Sequence, residues 1–235
     1  MDLAILYEDP YYIVVHKPAG LLVHRTEIDL HETIAALQIV RDQINAKLFP
    51  VHRLDRPTSG VLIFAKSSES ASLLSEKFSK QEIEKKYLAI VRGQFKQEIL
   101  LDYAMVNELD KGEDLVPQEA QTYFKPLASI ELPVSVDRYP TSRYSLVEAQ
   151  PKTGRTHQIR KHLKHLNHPI IGDVNHGNGK HNRYFSDKLL INRLLLICQE
   201  MSFQHPYTGA DVQIKTTLCD DFRLAINKLG FSYDT

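Results

Sequence analysis

The chain has only two cysteines, no excess of either charge, and no apolar run of the roughly 18 residues needed to cross a bilayer. Each shortage removes a class of protein. Cys198 and Cys219 stand at no metal-like spacing, which argues against a disulfide scaffold and for a reducing compartment where thiols persist as small hydrophobes. The opening stretch MDLAILYEDPYYIVVHKPAG places Asp2, Glu8, Asp9 and Pro10 inside what would have to be an apolar leader core, so no signal peptide is read there. A cytoplasmic protein with no membrane segment is expected. The 29 basic and 29 acidic residues cancel, which excludes an indiscriminate polyanion binder. There is no Walker loop and no GxGxxG, so nucleotide cofactors have no footing. His162, His165 and His168 invite a zinc reading, but only the first two share a helix face and no HExxH or cysteine partner accompanies them. No metal is expected.

What remains is ordinary globular material. A chain of 235 residues, 43% hydrophobic and 25% charged, can bury a core without staples, and no repeat or linker divides it, so one domain over residues 1–235 is expected. LAILY, YYIVV and LLV, separated by turn residues, read as a β-meander. Apolar positions Ile34, Leu37, Val40, Ile44 and Leu48 recur at helical steps, predicting a helix from Thr33 to Leu48. GVLIFAK at 60–66 reads as a buried strand, and Ser67 or Ser68 with Glu69 caps a helix running to about Gln81. KKYLAIVRG at 85–93 and RYSLVEAQP at 143–151 are further strands. Between them, 107–121 is expected to be a loop or insertion. After Thr153-Gly154, Ile159, Leu163 and Leu166 mark a helix closed by Pro169. LLLICQEMSF and DVQIK are late strands, and Phe222, Ile226 and Leu229 mark a last helix. Many sequential strands with few helices predict an α+β fold with a mixed, mainly antiparallel sheet flanked by helices and loops.

Charge is segregated along this chain. PKTGRTHQIRKHLKH at 151–165 contains no acid but holds Lys152, Arg155, Arg160, Lys161 and Lys164, whereas acids gather in NELDKGEDLVPQEA at 107–120. A basic face on a neutral protein predicts a confined anionic ligand site. In HRLDRPTSG at 52–60, Asp55 stands between Arg53 and Arg56. An aspartate so placed is most often a surface ion pair contributing about 0 to 1 kcal/mol. Its position before Pro57 and a turn leading into a buried strand favours a functional loop instead. Tyr87 opens a strand, where a lone tyrosine more often fills a core. Arg155 stands near a helix N-terminus, where the macrodipole prefers anions, so another partner should hold it; a carboxylate is the expected one.

Together these segments resemble the RluA family of pseudouridine synthases. HRLDRPTSG is similar to that family's catalytic HRLDxxTSG, VVHKPAGLLVH at 14–24 to its Lys-Pro-x-Gly segment, KKYLAIVRG to its Lys-x-Tyr strand, PKTGRTHQIRKHL to its Gly-Arg-x-His-Gln stretch, and HPIIGD at 168–173 to the next block. The blocks keep order from about residue 5 to 216. No S4-type RNA-binding module is expected ahead of the catalytic region. RYPTSRY at 138–144 and His176, where many relatives have tyrosine, look like the branch acting on uridine 65 of tRNA.

The resemblance implies the pseudouridine synthase fold and isomerisation of uridine in RNA. It implies Asp55 as nucleophile, Arg155 as its ion-pair partner and Tyr87 stacked near the target base. Substrate contacts are expected from Arg53, which would fill the space left by the extruded base, and from His52, Lys152, Arg160 and Lys164. The isomerisation is redox-neutral, so no small-molecule cofactor is expected. The partner would be tRNA, with ribosomal RNA or another tRNA site as alternatives and a non-catalytic RNA-binding protein as a third. A monomer is expected.

Overall fold

The computed structural model describes residues 2–24, 34–106 and 116–233, so the acidic run expected as a loop lies largely outside the described residues. The chain divides into two compact units. Met1–Lys85 with Ile197–Thr217 makes the first, and Lys86–Leu196 with Leu218–Thr235 the second.

In the first unit, β1 (Ile5–Glu8) and β2 (Tyr12–Lys17) form the hairpin that LAILY and YYIVV predict, and β2 pairs antiparallel with β4 (Ser59–Ala65), Lys17 opposite Gly60. Every residue of β4 is buried, as an unbroken apolar run requires. Its other edge is shared. The two-residue β3 (Phe49–Pro50) pairs antiparallel at one end, and β9 (Leu196–Gln204) pairs parallel at Ser59 and Gly60. The strand β10 (Asp211–Lys215) lies antiparallel on β9. LLV is not a strand; Leu22 only bridges Ala35, whose following helix α1 is Ala36–Ile44, shorter than expected because Asn45 turns left-handed at φ 50°. The helix α2 (Ser68–Ser79) starts as expected, with the Ser67 side chain accepting from the Ser70 N–H.

The second unit is an antiparallel sheet in the order β5 (Glu84–Arg92), β8 (Ser142–Pro151), β7 (Gln121–Leu132), β6 (Ile99–Asp102). On it lies α3 (Gln158–His165), whose Ile159 and Leu163 join Phe124, Val147 and Ala149 in one buried cluster. The last turn of α3 ends before Pro169, and α5 (Asp220–Leu229) stops at Gly230 in the left-handed region, φ 74°. The helix α4 (Gly179–Leu189), not expected from sequence, is capped by the Asn178 side chain and anchored by Phe185 against Tyr144. A mixed, mainly antiparallel α+β architecture is therefore what the chain adopts.

Candidate active site

Asp55 sits in a turn built by backbone contacts of the first unit. The Thr58 N–H donates to the Asp55 carbonyl at 3.0 Å, closing the turn one step before β4 begins. Lys17, at the end of β2, is fully buried, and its ammonium donates to the carbonyls of Pro18 (3.0 Å), Leu21 (2.7 Å) and Arg56 (3.0 Å). Gly20 N–H also donates to the Arg56 carbonyl at 2.9 Å, and Arg56 Nε returns a bond to the Gly20 carbonyl at 3.0 Å. The residue after Asp55 is thus pinned to the Lys-Pro-Ala-Gly loop by a buried cation. The motif's last glycine has its own reason. Gly60 has φ 116°, and a Cβ there would lie 2.1 Å from the Cys198 carbonyl oxygen, so no side chain fits where β4 meets β9.

Lys17 holds the turn that carries Asp55, a part that sequence analysis does not assign to it; its place in the Lys-Pro-x-Gly segment was its only signal. Lys17→Met is expected to lower stability by about 2 to 3 kcal/mol through lost charge-assisted bonds and to reduce turnover together with it. Wild-type turnover in a folded Lys17→Met protein, measured with a thermal melt, would separate the clamp from catalysis.

His52, expected to touch substrate, is turned inward instead. Its Nε2 accepts the Ile63 N–H at 3.0 Å, and its ring stacks on Phe78 at 4.8 Å. The ring serves β4 where a neighbouring strand would, past the end of β3. Burial, with the charge of Lys85 behind it, pushes His52 down to about 3. His181 of the second unit, bonded to the Tyr144 hydroxyl at 2.9 Å, is likewise pushed by burial, and by the charge of Arg92, to about 4. Both rings bind a proton more weakly folded than unfolded, where about 6.5 is normal. Below about pH 6.5 the unfolded chain therefore takes up protons that the folded chain refuses. Stability is expected to fall from pH 6.5 toward 4, by up to about 1.4 kcal/mol per pH unit for each ring. Melts across that range should show the slope, and His181→Phe should remove about half of it.

The second unit carries the other residues. Tyr87 lies on β5 opposite Ala149 and packs, part-buried, against the sheet's apolar cluster. Arg155 is exposed in the turn entering α3, which Gln158 ties down. The Gln158 Oε1 accepts from Arg155 N–H (2.9 Å) and the Thr153 hydroxyl (2.7 Å), while its Nε2 donates to the Gln121 carbonyl (2.9 Å) and Thr122 Oγ1 (3.0 Å). All four hydrogen-bonding positions of that amide are used. His157 takes φ 56° and its ring nitrogen lies 3.0 Å from that of His176. Arg155 Nε donates to the Glu119 carbonyl at 3.0 Å, a backbone oxygen where a carboxylate was expected to hold it. Met105, Val106, Gln118, Gly154, Arg155 and Thr156 line a cleft of about 120 Å³ there.

Arg160 must be withdrawn from the substrate contacts. It is 3% exposed, and its Nε and Nη2 donate to both oxygens of Asp173 at 2.7 and 2.8 Å. Asp173 Oδ1 also accepts the N–H groups of Asn175 and His176, and these bonds with the guanidinium outweigh burial to hold the carboxyl below its usual range. A guanidinium fully turned to a buried carboxylate does not grip phosphate. Lys152, Lys164, Arg155 and, on the first unit, Arg53 remain exposed.

Nearly the whole chain shares its fold with a solved chain described as Human RNA Pseudouridylate Synthase Domain Containing 4, at TM-score 0.74 and 24% identity over 97% of this chain and 93% of that one. The architecture is that of a pseudouridine synthase. The RNA pseudouridylate synthase family model matches residues 11–165, and the chain belongs to that family. Curated relatives extend the match. A tRNA pseudouridine synthase C of Vibrio vulnificus is 52% identical over 91% of this chain and 89% of its own length. The Vibrio parahaemolyticus protein of the same name is 49% identical over 95% and 93%, and that of Haemophilus ducreyi 46% over 99% and 98%. The chain is thus an isomerase of uridine in RNA. No described helix is long and apolar enough to cross a membrane.

Proposed function

We propose that the chain converts uridine 65 of tRNA to pseudouridine, with Asp55 as the nucleophile and Tyr87 and Arg155 acting in the same reaction. The observation that carries the tRNA reading is identity of 46 to 52% along nearly the whole chain to proteins named for tRNA. The order and spacing of the HRLDRPTSG, Tyr87 and Gly154-Arg155 blocks support the residue assignments.

The ionised Asp55 begins the reaction, by attack on the ribose C1′ or by taking a ribose proton. The N1–C1′ bond breaks, the uracil turns, and a C5–C1′ bond forms as the aspartate leaves C1′ or, on the other route, returns the ribose proton. The C5 proton then leaves and N1 gains one, so the product is an isomer and no electrons are exchanged. Tyr87 assists at the base, and Arg155 is the partner that the family's motif pairs with Asp55. A monomer without a small-molecule cofactor suffices for this sequence of bonds. Arg53 fills the stack that the extruded uridine leaves, an extrusion that costs a few kcal/mol.

Phosphate contacts fall to the exposed Lys152 and Lys164. Reversing both to glutamate is expected to weaken tRNA binding and lower the slope of log K against log salt by about 1 to 2. An unchanged slope would take that face out of the complex. The target itself is tested by pseudouridine maps of tRNA and 23S ribosomal RNA from a strain lacking the gene and from its parent. Loss at tRNA position 65 is expected; loss confined to a ribosomal site, with tRNA intact, would overturn the reading.

A further inference from the structure

We propose that Tyr103 and His165 form a stacking platform for an unpaired base of the substrate RNA, apart from the uridine that is isomerised; this rests on the tRNA reading above. The two rings lie 3.8 Å apart at 24°, and Tyr103 keeps 43% of its surface exposed beside an exposed His165. Aromatic surface therefore faces solvent with its orientation already set.

The backing is rigid. His162 is fully buried, meets Tyr103 edge-on at 6.2 Å, and is fixed by contacts of Nδ1 to Thr122 Oγ1 (3.0 Å) and Nε2 to the Tyr103 carbonyl (3.1 Å). The Tyr103 N–H donates to the Ala120 carbonyl at 3.0 Å, tying its backbone to the edge of β7. A ring held this way loses little freedom when a base settles on it.

Charge completes the surface. Lys161 precedes His165 by four residues and so shares its helix face, and Lys164 is exposed beside it. The acid next to Tyr103, Asp102, accepts from Gln121 Nε2 at 2.8 Å. A flat π surface flanked by cations is what sequence-tolerant single-stranded RNA binding uses. From Gln158 to His165 the helix rises roughly 10 Å, so a base on this platform is not the one at the Arg155 end.

The test uses Tyr103→Phe, which keeps the π face, and Tyr103→Leu, which keeps only apolar cover. In the Asp55→Asn background, affinity is measured for tRNA and for a short single-stranded RNA containing 2-aminopurine. Phenylalanine is expected to bind within about twofold of the parent, and leucine to bind roughly tenfold more weakly and to lose the fluorescence quench, with matching thermal midpoints. In the active protein, Tyr103→Leu should raise KM and leave kcat at saturating tRNA unchanged. Leucine binding as tightly as phenylalanine would make Tyr103 a mere cover and overturn the proposal, as would equal weakening of both. If the parent forms no pseudouridine in tRNA, the platform falls with the functional reading, and the activity assay shows that separately from the binding series.

Discussion

The Asp55→Asn protein is expected to fold, bind tRNA and lose isomerisation by at least roughly a thousandfold. Asparagine matches aspartate in shape but carries no charge, so it can neither attack C1′ nor accept a ribose proton. The turn should survive the change, because the bonds from Thr58 N–H to the Asp55 carbonyl and from Lys17 and Gly20 to the Arg56 carbonyl all use backbone oxygens. Asp55→Glu keeps the charge but moves it by one methylene. A misplacement of about 1 Å costs on the order of a hundredfold, so this variant should also be slow. Single-turnover pseudouridine formation, read beside a thermal melt and a tRNA titration, measures all three properties. A rate within tenfold of wild type would remove Asp55 from the chemistry.

Asp173→Ala is expected to produce the largest loss of stability, about 3 to 5 kcal/mol. Both partners of the Arg160–Asp173 pair are nearly inaccessible, at 3% and 2% exposure, and removing the carboxylate strips a buried guanidinium of its bidentate acceptor. For a chain this size that lowers the thermal midpoint by roughly 10 °C. Replacing the pair together, Arg160→Met with Asp173→Leu, should recover most of it, since two buried charges also carry a desolvation cost. The double variant should keep the parent's salt dependence of tRNA binding, because Arg160 points inward. Acid weakens the same pair. The folded carboxyl is held below its unfolded value, so its contribution is present above about pH 4 and is lost as pH falls through the lowered value.

Arg160 also shows where linear sequence misleads. The run from residue 151 to 165 contains no acid, yet the acid that neutralises Arg160 arrives thirteen residues later in the chain. Segregation along the chain is not segregation on the surface. His52 teaches the same point, since its place in a catalytic motif reflects the donor of Ile63, a partner in the next strand. The buried strand β4 was legible because an unbroken apolar run has few alternatives, and α2 because Ser67 signals its own cap. The strand β7 was not legible. Pro126 cannot donate to a ladder and reads as a strand breaker, and the sheet absorbs it with a register shift between Pro126 and Ala128. The helix α4 escaped because its exposed side is polar and only His181 and Phe185 are buried. Lys17 was visible as a motif residue, but its three carbonyl partners come from turns that no periodicity locates.

The most direct measurement is release of tritium from tRNA whose uridines are labelled at C5. Pseudouridine formation expels that hydrogen, so the wild-type protein should liberate one label per modified site, and the Asp55→Asn protein essentially none at equal tRNA occupancy. Release by both proteins at the same rate, or by neither, would contradict an isomerase that works through Asp55.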